Sequence, residues 1–86
     1  MIIIMRAKEP KRDDIYELIS YNVRKYRKLK NLTQAQLAEK TRYSHEFIRR
    51  IEAPKNKKYF SIDTINNIAE ALEIDVQALF DKRDES

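Results

Sequence analysis

Residues 33–52 read TQAQLAEKTRYSHEFIRRIE, and the pattern of this segment predicts the central motif of the fold. Thr33 followed by Gln36 matches a Thr-x-x-Gln capping box, which predicts a helix that starts here and ends near residue 41. Ser44 is a second candidate N-cap, and His45–Glu52 behind it predicts another short helix. The stretch therefore predicts two short helices joined by a tight turn.

The apolar residues of this stretch are spaced so that both helices can turn one face inward. Ala38 matters among them because its small side chain lets the second helix approach closely. A small residue at this place, a tight turn and two caps together indicate a helix-turn-helix, whose second helix enters the major groove of DNA. The residues expected to face inward are Leu37, Ala38, Tyr43, Ile48 and Ile51.

The rest of the chain is rich in strong helix formers, with no glycine and only two prolines. A first helix is expected from about Asp14 to Lys30, a fourth behind the N-cap candidate Ser61, and a short fifth behind Asp75. The predicted fold is all-α: a compact five-helix domain over residues 14–80 that contains the helix-turn-helix. Residues 1–13 form an apolar and charged arm whose isoleucines favour a short extended segment. Residues 81–86 form a polar tail.

Charge is distributed unevenly along the chain. Lys and Arg number 18 against 14 acidic residues, a net of +4. Residues 1–58 hold 16 basic and 7 acidic residues, a local net of +9, whereas residues 59–86 hold 2 and 7, a local net of −5. A basic body with an acidic end is typical of a protein with one polyanion-facing surface and another surface for a protein partner. Charged residues that merely coat a helical surface are the alternative.

Several classes of protein are disfavoured by composition. The chain has no cysteine and one histidine, so neither a disulfide nor a four-ligand zinc site is expected. No apolar run has the roughly 20 residues of a membrane span, and a cytoplasmic protein without membrane contact is predicted. His45 beside Ser44 lacks a third catalytic group and an oxyanion donor set, so we expect neither an enzyme nor a cofactor.

Asn22–Phe80 resembles the Xre/Cro-type family of phage-repressor-like helix-turn-helix domains. The resemblance rests on VRKYR at 23–27, LTQAQLAEK at 32–40, YSHEFIRRIE at 43–52, SIDTI at 61–65 and IAEALEI at 68–74. The order of these segments matches four helices of the family. Two positions depart from its pattern, since Arg42 and Pro54 stand where members usually have glycine. Arg42 is then expected to adopt a positive φ at a cost of about 1 kcal/mol.

The resemblance implies a sequence-specific regulator of transcription that binds double-stranded DNA, with repression as its expected effect. It also implies that Arg27 and Glu52 form a structural pair between the first and third helices. The residues expected to contact bases are Ser44, His45, Glu46, Arg49 and Arg50. Free N–H groups at the start of the second helix and a basic loop predict phosphate contacts at Thr33, Gln34, Lys55, Lys57 and Lys58.

A protein-interaction module is the second hypothesis. The resemblance includes antitoxins and adaptors, whose main partner is a protein, and the acidic section from Asp63 onward could serve such a contact. A homodimer is expected for a regulator of this size, because two subunits bind two half-sites about one helical turn apart. Its surface would be the fourth and fifth helices or the arm at residues 1–5.

Overall fold

A computed structural model describes residues 12–53 and 60–82 of the chain. They form α1 (Arg12–Leu29), α2 (Gln34–Thr41), α3 (His45–Glu52) and α4 (Ile62–Leu72), followed by a short 3-10 helix, η1 (Val76–Phe80). α1 starts two residues before the predicted Asp14. The extended segment predicted for the arm and the basic loop with Lys55, Lys57 and Lys58 lie outside the described residues.

The helices start where the sequence places capping side chains. Thr33 Oγ1 accepts the backbone N–H of Gln36 at 3.0 Å, and Gln36 Oε1 accepts the N–H of Thr33 at 2.8 Å. Ser44 caps α3 through the N–H of Phe47 at 3.0 Å, and Ser61 caps α4 through the N–H of Thr64 at 3.1 Å. The predicted capping box and both serine caps are thus confirmed, since each side chain satisfies a donor that its helix cannot.

One apolar core joins all five segments. α2 and α3 pack on each other and together against α1 and α4, so that the predicted inward residues Leu37, Ala38, Ile48 and Ile51 are buried. Tyr43 is partly buried against the same core. The core residues are Ile19, Val23, Leu37, Ala38, Ile48, Ile51, Phe60, Ile65, Ile68, Ala69, Leu72 and Leu79.

The segment after α4 corrects the predicted fold. Residues 76–80 form a 3-10 helix, so the described chain has four α-helices rather than five. Asp75 makes no side-chain cap at its start, and five residues are too few for two α-helical turns. At its end, Asn22 Nδ2 of α1 donates to the carbonyls of Leu79 at 3.0 Å and Asp81 at 2.8 Å. These two carbonyls thus receive their hydrogen bonds from a side chain of α1, and not from the N–H groups of a further helical turn.

Three connections are made by non-glycine residues in the left-handed region. Asn31, Arg42 and Glu73 have φ of 59°, 67° and 59°. Arg42 ends α2 with ψ 18°, and its N–H donates to the carbonyl of Glu39 at 3.3 Å. The turn between α2 and α3 therefore keeps the conformation that glycine usually supplies, with an arginine in it.

Arg42→Gly should stabilise the protein by about 1 kcal/mol, because glycine adopts this positive φ without a Cβ clash. The expected rise in melting temperature is about 4–8 °C for a domain of this size, measured by circular dichroism. Arg42→Ala is the matched control, since it removes the charge and keeps the Cβ atom. Equal stability of the glycine and alanine variants would contradict the assignment of strain to the backbone.

Candidate nucleic-acid interface

α3 separates a buried face from an exposed arc. Ile48, Ile51 and Glu52 are buried, and every other residue of the helix is exposed except Phe47, which is half-buried. Four of the predicted base-contacting residues share the exposed arc: His45, Glu46, Arg49 and Arg50. Since α3 is the second helix of the pair, its exposed arc is the surface that can enter a major groove.

The charged groups of this arc are not equivalent. Glu46 Oε1 accepts a hydrogen bond from Arg49 Nη2 at 2.5 Å, with side chains 62% and 61% exposed. This bond and the charge of Arg49 lower the pKa of Glu46, and the same bond raises the pKa of Arg49. The side chains of Arg50 and His45 make no hydrogen bond or ion pair with any residue in 12–53 or 60–82. Arg50 is therefore a charged donor with all the N–H groups of its guanidinium available.

Ser44 is exposed directly before this arc. Its oxygen accepts the N–H of Phe47, while its hydroxyl proton can still be donated. The backbone here is held by aromatic packing, because the ring of Phe47 meets the ring of Tyr43 edge-on with centroids 5.0 Å apart. Ser44 combines the cap with a position at the N-terminal end of α3, where base edges come closest.

The N-terminus of α2 supplies a second set of donors. The capping box satisfies the N–H groups of Thr33 and Gln36, which leaves those of Gln34 and Ala35 pointing out of the helix end. The side chain of Gln34 is directed elsewhere, because its Nε2 donates to Glu52 Oε1 at 3.0 Å. Any phosphate at this helix end would meet backbone donors first. The phosphate contacts of Thr33 and Gln34 stay predictions.

Arg27 and Glu52 form the buried pair that the resemblance implied. Arg27 Nε donates to Glu52 Oε2 at 2.6 Å and Nη2 to Oε1 at 2.9 Å, while Nη1 donates to the carbonyl of Leu32 at 2.7 Å. Glu52 is 2% exposed. The carboxylate of Glu52 also accepts a hydrogen bond from Gln34. One buried carboxylate at the end of α3 therefore binds both α1 and the start of α2.

Two further residues hold α3 in place that sequence reasoning missed. Arg24 Nη1 donates to the backbone carbonyl of Glu52 at 2.9 Å, which satisfies a carbonyl at the C-terminal end of α3. Asn67 Nδ2 of α4 donates to the hydroxyl of Tyr43 at 2.8 Å, next to the α3 cap. Arg24 lies three residues before Arg27, on the same side of α1, and this spacing was an available signal. Asn67 offered none.

The groups that the described surface offers to a ligand are side chains of α3 and backbone N–H groups at the start of α2. Within the described residues, no three of the His, Cys, Asp and Glu side chains come together as a metal site. None of the helices in this part of the chain has both the length and the apolar composition to cross a membrane. The described surface thus offers exposed donors on α3 and α2, mounted on a buried ionic cluster.

Comparisons with known proteins agree with this geometry. The sequence model of a family described as a helix-turn-helix domain matches residues 20–85. No curated protein gives a significant match to the chain. The fold is similar to the crystal structure of hypothetical transcription factor NHTF from Neisseria, with a TM-score of 0.71, 22% identity and coverage of 92% of this chain and 86% of that one.

Two regulators of known structure are also similar. The restriction-modification controller protein C.AhdI from Aeromonas hydrophila has a TM-score of 0.68 and 25% identity over 76% of this chain and 96% of that one. The clp gene regulator ClgR from C. glutamicum has a TM-score of 0.69 and 25% identity over 83% of this chain and 86% of that one. The similarity thus spans most of each chain.

Proposed function

The chain belongs to the Xre-like helix-turn-helix family and is a DNA-binding transcriptional regulator. We propose that it is a sequence-specific repressor that recognises duplex DNA with α3. The observation that carries the proposal is the arc of exposed polar side chains on α3, mounted on the buried Arg27–Glu52 pair. We assign the DNA-binding domain to residues 14–80, flanked by the arm and the tail.

The chemistry of the arc suits the major groove. The guanidinium of Arg50 can donate to O6 and N7 of a guanine, and the carboxylate of Glu46 can accept from the amino group of a cytosine. His45 can donate or accept according to its tautomer. Ser44 and Arg49 complete the proposed base-contacting set. Repression would follow when the bound domain covers DNA that another protein needs.

Phosphate contacts would fix the position of α3 in the groove. The outward N–H groups of Gln34 and Ala35 at the start of α2 are suited to one phosphate, with Thr33 at the same helix end. Lys55, Lys57 and Lys58 follow α3 in the sequence and are proposed to contact the backbone beyond it. Such contacts carry no sequence information, but they make affinity depend on salt.

A homodimer is proposed because two copies would bind two half-sites about 34 Å apart on one side of the duplex. Large apolar side chains are exposed on α4 and η1, namely Ile62 at 79% and Phe80 at 46%. Burial of these two side chains against a second copy would remove apolar surface from water, which favours α4 and η1 as the proposed dimer surface. The arm at residues 1–5 is the other proposed surface.

Selection from a random pool of duplexes should recover a common sequence that the protein binds in preference to random DNA. The three lysines predict a logarithmic salt dependence with a slope of about −3 or steeper, measured by fluorescence anisotropy over a range of salt. Sedimentation of the complex gives the number of chains on each selected site. If no sequence is enriched and affinity for duplex DNA is absent, the protein-interaction hypothesis would replace this proposal.

A further inference from the structure

The exposed arc of α3 contains one acidic side chain among cations. α3 is described along its whole length, and Glu46 is its one exposed acid, because Glu52 is buried against Arg27. An exposed ion pair contributes little to folding. Glu46 also lies in the first turn of α3, where an acid interacts favourably with the helix dipole. On a surface that faces polyanionic DNA, the same carboxylate has consequences for binding as well.

Glu46 makes two neighbouring arginines different. Its hydrogen bond to Arg49 at 2.5 Å compensates the charge of that guanidinium, while Arg50 has no partner in the described residues. Only one N–H donor of Arg49 is used by Glu46, so the guanidinium can still meet a phosphate, but the paired carboxylate then lies close to the negatively charged backbone and opposes that contact. Arg50 makes no hydrogen bond to Glu46, which acts on it only through its charge. The pair thus removes one cation from the charge available to DNA of any sequence.

Base edges in the major groove would change this balance selectively. A carboxylate only accepts hydrogen bonds, and the edges that offer it a donor are the amino groups of cytosine and adenine. Guanine and thymine present acceptors to the groove, which repel it. Where an amino group faces Glu46, the carboxylate keeps a partner when Arg49 turns to a neighbouring guanine or phosphate.

We propose that Glu46 is a specificity-determining residue that withholds Arg49 from sequence-independent contacts with phosphate and releases it at a site whose major groove presents an amino group. This inference rests on the proposed function and states how the same surface discriminates between DNA sequences. Glu46 thereby lowers affinity for random DNA and raises the preference for the selected sequence.

The test compares Glu46→Gln with Asp14→Asn on a short random-sequence duplex and on the duplex recovered by selection. Both variants raise the net charge by one, and Asp14 is exposed on α1, which is assigned no contact with DNA. Glu46→Gln should bind random DNA about 5-fold more tightly at 0.1 M salt, with a salt slope steeper by about 0.9, because one more cation contacts phosphate. Its preference for the selected duplex should fall about 10-fold or more. Asp14→Asn should match the wild type in both.

Arg49→Gln completes the test as a double-mutant cycle. In the wild-type background it should change the salt slope for random DNA little, whereas in the Glu46→Gln background it should abolish the gain. If Glu46→Gln binds random DNA no more tightly than Asp14→Asn, with the same slope, the inference is overturned while the proposed function stands. A wild-type protein without salt-dependent duplex binding would overturn both.

Discussion

Replacing Arg27 with alanine should lower the free energy of unfolding by about 3–5 kcal/mol, the cost of leaving a buried charge without its partner. Glu52 would remain at 2% exposure with Gln34 as its one side-chain donor among the described residues. The carbonyl of Leu32 would also lose the donor that Arg27 Nη1 supplies. Small domains have total stabilities of about 5–15 kcal/mol, so this loss is a large part of the whole.

The measurement is urea denaturation followed by circular dichroism, with thermal melting in parallel. A loss at the lower end should reduce the melting temperature by roughly 12 °C or more. Lys28→Ala is the matched control, because it removes an exposed basic residue from the same helix and should change stability by about 0.5 kcal/mol or less. An unchanged melting temperature in Arg27→Ala would refute the structural role of the pair.

A second variant separates the unpaired charge from the lost contacts. Arg27→Met combined with Glu52→Met replaces both charges with apolar side chains of similar length. Because such replacements of buried ion pairs are often neutral or stabilising, the double variant should recover most of the stability lost in Arg27→Ala. Failure to recover would assign the loss to packing and to the Leu32 carbonyl.

Arg50→Ala should weaken binding to the selected duplex by about 5- to 150-fold, the range expected for one bidentate contact to guanine. The guanidinium is exposed on α3 and has no partner within the described residues, so its donors are free to meet a base edge. Binding to random DNA should weaken much less, since one cation is a small part of the phosphate-directed affinity. The ratio of the two affinities is therefore the informative quantity.

Fluorescence anisotropy with both duplexes measures this ratio, and Lys28→Ala is the matched control. Lys28 is an exposed basic residue on α1 that is assigned no contact with DNA, so its removal should leave the ratio of the two affinities unchanged. A repeated selection with Arg50→Ala should lose the preference for guanine at one position. An equal loss of affinity for both duplexes would show that Arg50 contacts phosphate instead of a base.

The helix boundaries of the central motif could be predicted from the sequence because their causes are local. Thr33 with Gln36, Ser44 and Ser61 cap helices through donors no more than three residues away, so neighbouring residues suffice to identify them. The burial of Leu37, Ile48 and Ile51 follows from helical periodicity in the same way. These features led directly to the fold and, with the family resemblance, to the exposed arc of α3.

Other features were decided by contacts between segments far apart in the chain. Residues 76–80 form a 3-10 helix instead of a fifth α-helix, with Asn22 of α1 bonded to the carbonyls at its end. Local propensity alone gave no reason to expect this, because the donor lies 57 residues away from Leu79. The hydrogen bond from Asn67 to Tyr43 likewise joins two residues that are far apart in the sequence.

The buried cluster around Glu52 shows the division most clearly. Local sequence places an arginine on α1 and a glutamate at the end of α3, and the family resemblance pairs them. The packing of α2 on α3 adds Gln34 to the carboxylate of Glu52, and the packing of α1 on α3 adds Arg24 to its backbone carbonyl. A buried carboxylate draws every donor within reach, since leaving any of its hydrogen bonds unmade is costly. Local sequence thus determined the four α-helices, whose caps and apolar spacing involve near neighbours, whereas tertiary packing determined the 3-10 form of residues 76–80 and the partners of the buried charges.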